Sequence, residues 1–205
     1  MQLPESIERR LTLFRAGAAL IVCALWGFFA FVKHTEMPVF MFLDIAVHEV
    51  GHMLFRPFGE LVMLIMGSGW EVAFPFLMGI VFIVWKRDFI AWGVCWAWSA
   101  NSMADASRYI YDATRGELTL LGGTGPDTLG DWERILGPEH LDKLYLTDRI
   151  SADVLHTGVV LWFVAMAIVI FGIVWNAKKL RDAQPRARAR PVVRVAPLSQ
   201  DAMWR

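Results

Sequence analysis

Two histidines four residues apart, with a glutamate beside the first, carry the strongest chemical signal in this 205-residue chain: His48-Glu49-Val50-Gly51-His52. On a helix, residues i and i+4 lie on one face about one turn apart, so both imidazoles can grip a single zinc ion. Glu49 projects about 100° further round the helix. From there it can act on water beside the metal rather than on the metal itself, taking a proton and passing it to a leaving amine. The plain alternative is a polar helix face whose histidines are hydrogen-bonded and inert. The setting favours the metal, because the motif lies in an apolar stretch where ionisable residues are costly and usually functional.

Two histidines leave a catalytic zinc one protein ligand short. The helix carrying the motif ends near Arg56, and a later helix ends near Asp112 on the same side. Depth can be counted back from those two ends at about 1.5 Å per residue. The metal would lie about six residues from its helix end, and Asp105 lies seven from its own. Asp105 is therefore the first expectation for the third ligand. Asp112, on the same face but nearer the surface, and Asp131, in a loop able to fold back over the site, are the alternatives. His140 and His156 fit less well. Asp44, one turn before His48, could orient a ligand imidazole or make an ordinary polar contact. Asn101, one turn before Asp105, could bind substrate backbone or a neighbouring helix. Glu71, at the start of an apolar run, reads as an interfacial residue.

The elements that must position these residues are transmembrane helices. Hydrophobic residues make up 56% of the chain, mean hydropathy is +0.44, and there are ten Trp and fourteen Phe. A soluble domain sits nearer about 45–50% apolar. The formal net charge of zero excludes a nucleic-acid-binding character. Cys23 and Cys95 fall inside apolar runs and suggest neither a disulfide framework nor a cysteine zinc site. The expected architecture is an all-α polytopic membrane protein with spans at about 16–32, 37–55, 70–85, 89–112 and 154–175. Five is the expected number of spans, with four and six as alternatives. Residues 61–69 read as a short re-entrant or extended element, residues 113–149 as a polar loop, and Trp92, Trp96 and Trp98 as an interfacial aromatic belt. Residues 1–176 form one membrane-embedded domain. Residues 177–205 form a basic tail expected to be disordered.

Tail basicity places the C-terminus in the cytoplasm, and the tail could bind anionic lipid. Five spans would then put the N-terminus outside, against the preference of Arg9, Arg10 and Arg15. Either the N-terminal lead lies on the outer surface, or the span count is off by one.

An H-E-x-G-H motif on a transmembrane helix in a chain of several spans resembles the site-2 protease family of intramembrane zinc metallopeptidases, especially its short bacterial members without PDZ domains. The resemblance covers about residues 38–112. It implies zinc as cofactor, His48 and His52 as ligands, Glu49 as catalytic acid/base and a membrane-protein or peptide substrate. It further implies a bacterial inner-membrane location. In some members a Gly-x-Gly element after the motif helix presents an edge strand to substrate, and Gly67-Ser68-Gly69 is placed similarly. The family's third ligand usually comes from an N-P-x-x-D-G or L-D-G segment, and neither is present here. The expected activity is hydrolysis of peptide bonds in or near the bilayer. The rival expectation is a non-catalytic membrane protein with a structural or metal-handling zinc site.

Overall fold

The computed structural model describes residues 5–35, 37–118 and 129–188, and every regular element among them is helical. The elements are α1 (Glu5–Gly27, widening into a last turn at Phe28–Lys33), α2 (Pro38–Phe55) and α3 (Glu60–Val81, widening at Phe82–Lys86). They are followed by α4 (Phe89–Asp112), the short α5 (Asp131–Leu136) and α6 (Thr147–Arg188). The stops and starts are local. His34 and Arg87 adopt left-handed backbone conformations, φ 53° and 50°, that end the widened turns of α1 and α3. Asp88 then caps α4 by accepting the Ala91 amide at 3.1 Å.

Among the described residues, three helical stretches are long and apolar enough to cross a membrane: Arg9–Lys33, Glu60–Lys86 and Leu144–Asp182. The polar side chains of α2 and α4, among them Asp44, His48, His52, Asn101 and Asp105, lower the hydropathy of those two helices. Both still pack within the bundle, and α4 touches α1, α3 and α6.

Cross-helix contacts fix the directions. Trp162 Nε1–H on α6 donates to the Cys23 carbonyl on α1 (3.0 Å), and Arg15 pairs with Asp88 at the start of α4 (2.6 Å). Ser107 and Ser151 each donate to the other's carbonyl at 2.9 Å, joining α4 to α6. Thus α1 and α4 point one way and α6 the other. Ser99 Oγ–H donates to the Val72 carbonyl at 2.9 Å and Trp96 Nε1–H to that of Phe76 at 3.3 Å, so α3 is antiparallel to α4. α2 in turn is antiparallel to α3. Phe40, near its start, meets Trp26 edge-on with ring centroids 4.8 Å apart. The chain therefore steps back after α1, and α2 continues in the same general direction. The start of α1 and the end of α6 consequently share one end of the bundle.

Several expected boundaries change. The first span starts earlier, and 61–69 is not extended but the opening turns of α3, which begins at Glu60 rather than near 70. A tail disordered from 177 is replaced, as far as Arg188, by the continuation of α6. Residues 189–205 and the 119–128 part of the polar loop lie outside the described residues. The tryptophans at 92, 96 and 98 turn inward rather than forming a belt: the Trp96 ring stacks on Phe76, and Trp98 bonds Asp44.

The bundle packs through small residues. Ala97, Ala104 and Ala165 are fully buried, and Ala97 and Ala165 form one core with Ala19, Cys23, Trp26, Ile90 and Val169. At Gly93 an added Cβ would lie 2.6 Å from Val169 Cγ2 and 2.9 Å from the Ala165 carbonyl, so α4 and α6 meet there backbone to backbone. Gly93→Val should force them apart and cost about 1–3 kcal/mol, read as an earlier unfolding midpoint in detergent. An unchanged midpoint would contradict the close approach.

Candidate functional site

α2 presents His48 and His52 toward α3, and their Nε2 atoms lie 3.0 Å apart. Asp131, the first residue of α5, places Oδ2 3.1 Å from His48 Nε2 and 3.0 Å from His52 Nε2. Three ligand-type atoms therefore form a nearly equilateral triangle. Its edge is close to the ~3.3 Å separation of ligands held at ~2.0–2.1 Å in a tetrahedral zinc site.

The outer ring nitrogens decide what the inner ones can do. His52 Nδ1 lies 2.9 Å from the Met63 carbonyl and His48 Nδ1 3.3 Å from Glu71 Oε2, and both oxygens are acceptors. Each Nδ1 must therefore carry the proton, and in a neutral imidazole that leaves Nε2 a bare lone pair. Two such lone pairs and a carboxylate oxygen then converge with no donor among them. Protonating both Nε2 atoms instead would set two N–H groups head to head at 3.0 Å. A single proton or a metal cation resolves the conflict, and the His₂Asp donor set suits zinc. Without a metal the same place takes a proton: burial works to raise the Asp131 carboxyl, but hydrogen bonding and charge from a protonated imidazole outweigh it and hold it well below the usual carboxylate range. The position favours positive charge.

Two glycines shape the cradle. At Gly51, inside the motif, a Cβ would lie 2.1 Å from the Met66 carbonyl, so its absence lets α2 and α3 touch. At Gly67 a Cβ would sit 2.5 Å from His52 Cε1, 2.6 Å from His52 Nε2 and 2.7 Å from His48 Nε2. That space stays open beside the ligand atoms. An open hollow of about 510 Å³, lined by His52, Met53, Arg56, Glu60 and Met63, adjoins the site.

Asp131 is brought here by the way α5 docks. Ile135 and Leu136 join Leu64 and Ile110 in a second core. Trp132 Nε1–H donates to Ser68 Oγ at 3.1 Å, and Arg134 pairs with Glu60. The Asp131 amide donates to the Tyr109 hydroxyl at 2.9 Å. Together these bonds fasten both ends of α5 to α3 and α4.

The structure gathers His48, His52 and Asp131, and puts the other candidates elsewhere. Asp105, first choice by depth, pairs with Arg108, accepts from Asn101 Nδ2 at 3.0 Å and faces Asp44 and Glu71. Matching depth did not bring it to the imidazoles because its side chain belongs to this deeper carboxylate layer. Asp112 accepts the Glu117 and Leu118 amides at 2.7 and 3.1 Å, closing the turn after α4. Asp44 accepts from Trp98 Nε1 at 2.6 Å and Asn101 Nδ2 at 3.4 Å, and the bond to a motif imidazole is made by Glu71, which is buried rather than interfacial. Asn101 is thus engaged within the bundle. Gly67 and Gly69 are helical and offer no strand edge. Glu49 is exposed, and among the described residues no hydrogen bond or ion pair holds it. Sequence reasoning missed Glu71 and Tyr109. The only available signal for Glu71 was an acid in an apolar run with no evident partner.

No protein-family model, curated protein or solved structure matches this chain.

Asp131→Ala should remove most bound zinc from the purified protein while Asp105→Ala retains it, as read by metal stoichiometry. Equal loss in both would return Asp105 to the site. Glu71→Gln should weaken zinc binding about 10–100-fold by loosening the His48 ring, measured by competition with a chelator. Unchanged affinity would remove Glu71 from the metal's support.

Proposed function

We propose that this chain is a membrane-embedded zinc metallopeptidase that hydrolyses peptide bonds in or near the bilayer. The observation that carries the reading is the convergence of His48 Nε2, His52 Nε2 and Asp131 Oδ2 within 3.1 Å of one another, with Glu49, next to His48 on α2, exposed. Three protein ligands with open space beside them is the pattern of a catalytic rather than a closed structural zinc site.

His48, His52 and Asp131 would hold the ion. Glu71 and the Met63 carbonyl keep both imidazoles in the tautomer that exposes Nε2, and Tyr109 and Trp132 keep Asp131 in register. Zinc, when bound, supplies Lewis acidity that polarises a carbonyl and acidifies water. Glu49 takes the proton of the attacking water at its carboxylate and returns it to the leaving amide nitrogen. The substrate is a membrane-protein segment or peptide, entering by the hollow beside His52. The helical form of Gly67–Gly69 argues against a strand-edge mode of substrate binding, so substrate must be opened by other surfaces of the site.

The charge pattern supports an orientation. Arg9, Arg10, Arg15, Lys86, Arg87, Lys178, Lys179 and Arg181 gather at the end shared by the start of α1 and the end of α6. In a bacterial inner membrane this end faces the cytoplasm. With both ends of the helical bundle on that side, the N-terminal arginines no longer conflict with the basic C-terminal segment.

One observation favours a second reading: the third ligand comes from α5, so a metal there would also staple α5 onto α2 as a structural site. Glu49→Gln separates the two. A peptidase variant should keep full zinc and lose cleavage of a reconstituted transmembrane peptide by at least about 10²-fold. Zinc-loaded wild type that cleaves no such peptide, with removal of the metal releasing α5 to proteolysis, would favour the structural role.

A further inference from the structure

At the end of the bundle away from the histidines, α1, α4 and α6 enclose a groove of about 340 Å³. Leu13, Ala16, Ile90 and Ile173 make its floor apolar, and Arg9 and Arg181 stand on its wall. Both guanidinium groups are exposed, and neither has a carboxylate partner among the described residues. Their neighbour Arg15 differs, being committed to Asp88 at 2.6 Å. Two cations from different helices, neither with a carboxylate partner among the described residues, thus flank an apolar slot, at the end where Lys86, Arg87, Lys178 and Lys179 raise the local positive potential.

We propose that this groove binds one anionic phospholipid, its phosphate between Arg9 and Arg181 and an acyl chain along Leu13, Ala16, Ile90 and Ile173. The chemistry of each half selects the ligand. A guanidinium presents a fork of N–H donors that matches phosphate oxygens, and two forks from different helices can share one phosphate. The apolar floor has no use for a free phosphate but matches a lipid tail, and the exposed apolar side chains of α1 and α6 continue it toward the bilayer. Juxtamembrane arginines and lysines add attraction for negative lipid. Occupation would bridge the first and last helices at an end where the only cross-helix ion pair among the described residues is Arg15–Asp88. The inference stands apart from the histidine site and survives whatever is found there.

The test uses the full chain purified in nonionic detergent and titrated with phosphatidylglycerol or phosphatidylcholine, with bound lipid counted by native mass spectrometry. One phosphatidylglycerol should be retained, preferred over phosphatidylcholine by about tenfold or more given two arginines at the headgroup. The double variant R9Q/R181Q should lose that preference, whereas K86Q/R87Q, equally basic and at the same end, should keep it. Ala177 also lines the groove, and Ala177→Trp, which fills it without changing charge, should abolish retention of both lipids. Equal loss in K86Q/R87Q would reduce the effect to a diffuse field. Equal retention of the two lipids by wild type, or an unchanged preference in R9Q/R181Q, would overturn the headgroup assignment. Retention by Ala177→Trp would overturn the groove.

Discussion

Three ligand-type atoms within 3.1 Å of one another repel unless a proton or a metal ion lies between them, and much of the fold near them keeps them there. In water the imidazoles and carboxylate would turn away and find donors. Here each is denied that freedom by a bond on its far side. Met63 holds one ring and Glu71 the other, and the Tyr109 hydroxyl takes the Asp131 amide. The α2–α3 contact permitted by Gly51 brings those far-side partners within reach, and α5 brings the carboxylate. Such a preorganised set of lone pairs is destabilising without a proton or metal ion, and it would bind a metal strongly because the reorganisation has already been paid for by folding.

Behind the triangle lies a second acidic layer, Asp44, Glu71 and Asp105, whose carboxylate oxygens come within 4.8 Å of one another. Charges this close in a poorly solvated setting raise each other's cost steeply. The surrounding donors offset it: Trp98 and Asn101 to Asp44, Asn101 and Arg108 to Asp105, and His48 to Glu71. The two layers are coupled through His48, whose Nδ1 faces the acids and whose Nε2 faces the triangle. Negative charge behind the ring makes Nε2 a better donor to a metal, so the deeper layer strengthens the site without lining it.

The motif on α2 was legible because its spacing alone sets the relation of two imidazoles on a helix. The extent of α4 was legible too, since Asp88 and Asp112 bracket an uninterrupted run. What could not be read was anything depending on how a helix is rotated. Asp105 and Glu71 both interrupt apolar runs, and counting depth cannot say that one turns to Arg108 and the other to His48. Asp131 was harder still. Its place is set by Trp132, Arg134, Ile135 and Leu136 docking on α3 and α4, contacts long in sequence and without periodic signature. Gly67-Ser68-Gly69 misled for a different reason. Glycines after a motif helix suggest a break, but their small size serves close helix contact equally well, and Gly67 leaves room for the imidazoles.

The reversal between α1 and α2 ties these local features to the whole molecule. Because α2 starts beside Trp26 and runs on in the direction of α1, the two together advance the chain once across the bundle rather than twice. Both termini of the bundle therefore lie at its basic end. By the same geometry the C-terminal half of α2 is carried toward the opposite end, where the hollow beside His52 opens between Arg56 and Glu60. A net charge of zero conceals this separation: Arg9, Lys86, Arg87, Lys178, Lys179 and Arg181 share one end with no carboxylate partner among the described residues, while the acids that face the histidines are consumed deeper in the bundle. Under the proposed orientation, the basic end would then also fix the side on which the hollow beside the histidines opens.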